Sequence, residues 1–479
     1  MKATTSVVPE LGMTVDEFRL RGKLIVDRIA DYYESIESYR VRPETMPGDL
    51  RSRLPTTAPN DPESWDSIVS DFDQLIMPGV THWQSPHFHA YFPAQVSFPA
   101  LIGDMLSGMI NAIGFSWIGC PAMTELEIVV MDWLSNAIGL PESFRSKSGG
   151  GGVIQGTASE AVLVAVLTAR DVALLRGVDP AKLTAYLTSH RHASCDKALH
   201  LAGILNVRLV NDSDHLKSAI DTDISQGFQP MFVGVTLGYT STAAYDDLSA
   251  IAAVCSKYLA LHLHVDAAYA GSALLCPEYR YMIKGVEHAS SFNFNPHKWM
   301  LTNFDCSAYF VTDQVALQNA MSSDMSIYHN QFRDLDLRNW TIPLGRRFRA
   351  LKIWFVMRSF GISGLQANIR RQCSQAKRFE KFVLEDERFE LFCPCHLGLV
   401  CFRFRPIEGQ LPQSTNHLNL ALIGLLNNDG RIFLVHSAIN EVNFIRFCIC
   451  SALTRDEHVD FAWEQICEAA NRILKTTFS

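Results

Sequence analysis

The chain has 479 residues, 48% hydrophobic and 19% charged, which makes it globular and too long for one ordinary core. A net charge of −8 without any run of Lys or Arg argues against nucleic acid or an anionic membrane as the main partner. No stretch approaches the roughly 18 apolar residues of a membrane span, and the first residues lack the apolar core of a signal peptide, so the expected location is the cytoplasm.

Thr14 to Glu17 reads T-V-D-E, a capping box. Phe18, Ile25, Ile29, Tyr32 and Ile36 then recur at helical spacing, which predicts an amphipathic helix to about Tyr39. Residues 43–63 are rich in Pro and polar side chains and read as an exposed arm. Helix and arm carry little core of their own, so they are expected to pack on a second subunit or on the main domain. From about 100, helix-period segments at 124–140 and 159–175 alternate with short apolar runs at 231–237 and 259–266. That alternation predicts an α/β domain around a largely parallel sheet. After about 350 a helix-rich stretch leads to strand-like runs at 397–404, 431–438 and 443–450 and a closing helix, a smaller α+β domain. The expected division is 1–95, 96–352 and 353–479. The 12 Cys show no CxxC spacing. Cys393, Cys395 and His396 begin a zinc-like cluster, but no second ligand pair follows at zinc spacing, so no metal is expected.

Four features carry chemistry. In "GGGGVIQGTASEA" (149–161) a glycine-rich loop enters a helix near Ser159, and the free N–H groups of such a start attract anions. It is neither a Walker A loop nor a dinucleotide fingerprint, because the Lys and the Gly spacing are missing. In "LHLHVDAAYAG" (261–271) Asp266 stands where a strand should end, the place where open α/β sheets bind ligands. In "SFNFNPHKWM" (291–300) Phe292 and Phe294 alternate with Asn293 and Asn295, the pattern of a half-buried strand, and Pro296 stops it. Lys298 follows, 32 residues after Asp266, a return trip to another strand end of the same sheet. His192, in "SHRHASCDKA", falls between the loop and the Asp strand. An amine, a carboxylate and an anion site at strand ends suit pyridoxal phosphate: the amine takes the aldehyde, the carboxylate keeps the ring nitrogen protonated, and the helix start holds the phosphate.

The blocks "THWQSPHFHAYFP", "GGGVIQGTASEA", "HVDAAYAGSA", "SFNFNPHKWMLTNFDCSA" and "PLGRRFRALKIWF" closely resemble the aromatic-L-amino-acid decarboxylases, group II members of the fold-type-I pyridoxal phosphate enzymes. The resemblance runs from about residue 10 to the C-terminus. It implies a homodimer with active sites at the subunit interface and conversion of an aromatic amino acid to its amine and CO2. It further implies Lys298 as the Schiff-base lysine, Asp266 as the ring-nitrogen partner and His192 against the ring and the substrate carboxylate. Ala158, Ser159 and Asn295 would hold the phosphate, and Thr240 and His297 would line the cofactor site. Trp83, Tyr91, Phe92 and Pro93 would form the aromatic pocket, with Ile113 and Phe115 reaching in from the partner.

Two departures from the family pattern matter. Relatives acting on catechols carry Thr after "YFP", where this chain has Ala94. The loop at 320–340 is about four residues shorter, so its catalytic tyrosine aligns with Ile327 or Tyr328. The main expectation is decarboxylation with Tyr328 returning the proton. The alternative is an aldehyde synthase that releases aldehyde, ammonia and hydrogen peroxide. Gly345, in "PLGRRFR", matches the aromatic-specific rather than the histidine-specific members.

Overall fold

The computed structural model describes residues 12–322, 331–406 and 412–478. Seven strands form the large sheet: β1 Gly151–Gln155, β2 Leu183–Thr188, β3 Asn206–Val210, β4 Gln229–Thr236, β5 His262–Asp266, β6 Ser291–Phe294 and β7 Ser307–Val311. Their order is β1-β7-β6-β5-β4-β2-β3. Strands β2 to β6 pair in parallel, whereas β7 is antiparallel to both β6 and β1. Strand β1 therefore runs the same way as β6. The carboxyl ends of β1, β2, β4, β5 and β6 share one edge of the sheet.

Both faces of this sheet are covered, which is why its strands read as apolar runs. The alternation at 292–295 predicts a half-buried strand. The structure corrects this: all four residues of β6 are buried, because β6 lies inside the sheet. Asn293 compensates by donating from Nδ2 to Asp266 Oδ1 at 3.2 Å. His264 is likewise buried and His262 half-buried, and both rings meet the Ser291 hydroxyl, at 2.8 and 2.7 Å.

The first helix, Val15–Glu34, has the anticipated capping box, with Thr14 Oγ1 accepting from the Glu17 N–H and Glu17 Oε2 from the Thr14 N–H. It stops short of Tyr39. The Ser35 hydroxyl bonds the Asp31 carbonyl at 2.7 Å, and a single 3₁₀ turn, Ile36–Ser38, follows. After residue 350 the chain runs as a helical stretch, Arg349–Glu385, broken at Gly361, where φ is +62°. The second sheet is antiparallel and ordered β10-β11-β9-β8, from β8 Phe389–Leu391, β9 Leu399–Phe404, β10 Val435–Ile439 and β11 Val442–Cys448. Helices Pro412–Asp429 and Asp456–Phe478 belong with it.

The stretch before the large sheet is stitched to this second sheet of its own chain. The Val41 N–H donates to Gly430 at 2.8 Å, His89 N–H to Phe433 at 3.0 Å, and Cys448 N–H to His89 at 3.0 Å. Glu37 sits between His87 and His458, its Oε2 3.7 and 3.4 Å from their Nε2 atoms. The spacing resembles a metal centre, yet His458 Nδ1 accepts the Arg455 N–H at 2.9 Å. Its proton is thereby fixed on Nε2, where a metal would need a lone pair, so the group reads as a hydrogen-bonded clasp. Cys393, Cys395 and His396 do not gather into a metal-like group among the described residues. No helix among them is long and apolar enough to cross a membrane.

The interior histidines make stability pH-dependent. Burial first and the neighbouring His262 second hold His264 neutral down to about 3, against an ordinary 6.5. The unfolded chain takes up that proton earlier, so stability falls as pH drops from 6.5 toward 3 and is unaffected by this group above 6.5. Urea unfolding between pH 6 and 4 should show the slope of His264→Asn reduced by about 1.4 kcal/mol per pH unit relative to wild type.

Candidate active site

Five strands, β1, β2, β4, β5 and β6, each deliver a polar group to the shared edge. Beyond β1 the chain enters helix Ala158–Leu175, capped by Thr157. The amides of Ala158 and Ser159 stand in its first turn, where no carbonyl of the helix can reach them. Beyond β2 comes His192, the N-cap of helix Ala193–Leu201. Beyond β4 comes the turn that carries Thr240, which is exposed. Asp266 ends β5, and Lys298 follows β6 in a one-turn helix, Pro296–Trp299.

Asp266 is 4% exposed. Its Oδ1 accepts from the Ala268 N–H at 3.0 Å and from Asn293, while Oδ2 accepts no hydrogen bond among the described residues. Burial lowers the Lys298 pKa, and Asp266 is the largest influence opposing it. The amine is therefore easier to deprotonate than an ordinary lysine, which suits a nucleophile. His192 is also shifted down, by desolvation first, with Asp266 opposing and Lys298 assisting. Its Nδ1 accepts the Ser194 N–H at 3.1 Å, so the neutral ring carries its proton on Nε2. His297 is pushed down to about 4 by burial and by Lys298, and its Nδ1 accepts the Cys306 N–H at 3.0 Å. Asn295 Oδ1 is buried without a partner, a polar atom left for a ligand.

The aromatic residues divide. Tyr91 has a φ of +58°, and this reversal lets it and Phe92 join different groups. Phe92 stacks on Tyr269 at 3.7 Å, and Tyr269 on Trp299 at 4.7 Å. Lys298 Nζ lies 5.8 Å from the Phe92 ring. Trp83 and Tyr91 instead stack on each other at 5.6 Å, next to Phe88 and Phe433. Pro93 is buried, and the Ala94 carbonyl accepts from Gln84 Nε2 at 2.7 Å. Ile113 is exposed. A side chain at Gly345 would begin 3.6 Å from Ile113 Cγ2, so these two belong to one patch. Next to them, the Gly114 N–H donates to the Arg346 carbonyl and the Phe115 carbonyl accepts from the Arg338 N–H. Ile327 and Tyr328 lie outside the described residues.

Three residues escaped the sequence reading. Arg446, 3% exposed, donates to the Ser241 and Tyr91 carbonyls and holds Cζ 5.0 Å from the Phe92 ring. Cys450 and Gln95 bond the turn that carries Lys298. Their types have no catalytic pattern, and only the fold brings them there.

Residues 47–405 match the pyridoxal-dependent decarboxylase conserved domain. The aromatic-L-amino-acid decarboxylase of Drosophila melanogaster is 46% identical over 97% of this chain and 93% of its own length. The chain belongs to the aromatic-L-amino-acid decarboxylase family. Among solved structures, Oryza sativa TDC with PLP and tryptamine superposes with a TM-score of 0.93 at 36% identity, covering 96% of this chain and 99% of that one. The Rhodiola rosea 4-hydroxyphenylacetaldehyde synthase gives 0.90 at 37%, with the same coverage. A pyridoxal-dependent decarboxylase has the mixed, mostly parallel sheet seen here. The residues fit its cofactor: a half-buried amine, a carboxylate with an unused oxygen, an orphaned amide oxygen and a helix start with free N–H groups all lie on one edge.

Removing the Asp266 charge should push the Lys298 pKa lower still, since that charge opposes burial. In cofactor-free protein, the pH dependence of Lys298 acylation, followed by peptide mass mapping, should have its midpoint below 10.5 in wild type and lower again in Asp266→Asn.

Proposed function

We propose that this PLP-dependent carboxy-lyase converts an aromatic L-amino acid of the tyrosine, dopa, tryptophan or 5-hydroxytryptophan class to its amine and CO2. The observation that carries this reading is a half-buried amine and a buried carboxylate on neighbouring strand ends, set against the Phe92–Tyr269–Trp299 stack. Pyridoxal phosphate, when bound, supplies an aldehyde for amines and a ring that accepts the electron pair released as CO2 leaves. Lys298 is the amine that would hold the cofactor through its aldehyde. Asp266, with Oδ2 uncommitted, keeps a proton on the ring nitrogen. Ala158 and Ser159 present free N–H groups to the phosphate, helped by Asn295, and Thr240 and His297 border the site. His192, with its proton fixed on Nε2, donates to the substrate carboxylate. Phe92 and Pro93 supply the apolar wall, with Trp83 and Tyr91 at its outer rim. Tyr328 is the acid that returns the proton to the substrate carbon.

A second reading, aldehyde synthesis, has a specific motivation. The loop near Tyr328 is short, and a structurally similar protein is an aldehyde synthase. Incomplete closure would admit oxygen. Tyr328 as the acid favours the amine.

The working unit is a homodimer in this reading. Helix Val15–Glu34 has no buried residue, and Phe18, Leu20 and Leu24 are exposed on it. Helix Phe98–Ile110 exposes Ile102, Met105 and Met109. Apolar surface of this extent marks an interface. Ile113 and Phe115 then enter the partner's site, and Gly345, sharing their patch, goes with them. In this reading 1–95 is the N-terminal segment, whose first helix packs on the partner while Val41 and His89 pair with the small sheet of their own chain, 96–352 is the cofactor domain and 353–479 the small domain. All twelve cysteines are free, which suits a reducing compartment such as the cytoplasm.

Product analysis on a panel of aromatic amino acids, with CO2, amine and peroxide all followed, tests the function. Amine and CO2 should form in equal amounts. Tyr328→Phe should divert product to aldehyde and peroxide, and stoichiometric peroxide from wild type would instead establish the synthase. With Ala94 lacking the hydroxyl, mono- and dihydroxylated rings should be turned over at comparable rates. Removing residues 1–60 should give a monomer by sedimentation with activity reduced roughly 100-fold, as expected when site groups are misplaced; a fully active monomer would refute the shared site.

A further inference from the structure

Lys298 stands in a helix of one turn, Pro296–Trp299, too short to satisfy its own ends. The chain leaves it through Leu301, whose φ of +52° is a left-handed conformation uncommon for a branched side chain. Two backbone groups therefore need outside partners: the His297 carbonyl just before the lysine and the Leu301 N–H just after the turn. One residue serves both. Gln95 donates its own N–H to the His297 carbonyl at 2.7 Å and accepts the Leu301 N–H on Oε1 at 2.7 Å. Its Nε2 donates to the Cys450 carbonyl. The Cys450 thiol in turn donates to the carbonyl of Lys298 itself, at 3.0 Å. These four bonds form a closed circuit from Gln95 through the lysine turn to Cys450 and back.

We infer that Gln95 is a positioning residue for Lys298, a brace that sets where the amine stands by locking the backbone on both sides of it to the small domain's Cys450. The side chain is 1% exposed, so water cannot replace it. A primary amide offers an acceptor and a donor in one plane. A hydrocarbon of the same size would leave the Leu301 N–H and the Cys450 carbonyl buried and unpaired. Ser97 adds a hydroxyl bond to the Leu301 carbonyl at 2.7 Å, a different group from the Leu301 N–H that Gln95 holds.

The inference rests on Lys298 being the residue that holds the cofactor. Borohydride reduction of wild-type holoenzyme, followed by peptide mapping, checks that separately, because label on another lysine would remove the proposed role of Lys298 whatever Gln95 does. The test of the brace uses two holoenzyme variants. Gln95→Leu should lower kcat by about tenfold or more, as displaced reacting groups do, with KM within about twofold. It should also move the pH midpoint of the bound cofactor's absorbance change, which reports the setting of Lys298. The melting temperature of the cofactor-free form controls for simple loss of packing. In Gln95→Glu the protonated carboxyl has the same donor and acceptor as the amide, while the ionised form lacks the donor. That variant should approach wild-type kcat at the acid end of the profile and fall toward Gln95→Leu as pH rises. Wild-type kcat with an unmoved midpoint in Gln95→Leu would overturn the inference. So would a Gln95→Glu profile parallel to that of Gln95→Leu.

Discussion

The structure turns on one amine half withdrawn from water. Lys298 is placed where burial disfavours its charge and a single carboxylate, Asp266, restrains that effect. Everything nearby can be understood as making the placement tolerable. Asp266 is itself buried, and the Ala268 N–H at its strand exit and the Asn293 amide take the place of water at one of its oxygens. His192 and His297 are both held toward the neutral form by burial, so they add polar contacts without further positive charge. The aromatic stack beside the amine excludes water without offering a competing base.

Much of this was legible in the sequence, and the reason is physical. Strands buried on both faces are apolar throughout, so runs such as 231–237 announced the sheet. A polar residue ending such a run, as Asp266 does, stands out because the strand interior tolerates so few. The direction of β7 was not legible, since an apolar run of five residues carries no sign of parallel or antiparallel pairing. The burial of Asn293 and of His264 escaped for a related reason. Alternation of polar and apolar residues normally signals a wet face, and here the polar members are satisfied by Asp266 and Ser291 instead of by water. Gln95 had no signature at all, because its meaning lies in partners some 200 to 350 residues away along the chain.

The division among the aromatics shows how little chain is needed to serve two purposes. Tyr91 and Phe92 are adjacent, yet one joins the Trp83 group and the other faces Lys298. The left-handed backbone at Tyr91 is the local cost of that split. Arg446 holds the carbonyl of that residue and stands against the Phe92 ring, so the small sheet contributes to the wall from behind.

The antiparallel strand β7 has a consequence for scale. It separates β1 from β6, so the strands that lead to the helix start and to the lysine turn are two inter-strand steps apart, about 10 Å at roughly 4.8 Å per step. Strand spacing is dictated by hydrogen-bond length and cannot be stretched. The sheet thus acts as a ruler for the sideways offset of the two strand ends, and only the short connections beyond them, Gly156–Thr157 and Asn295–His297, are left to trim the reach from anion site to amine.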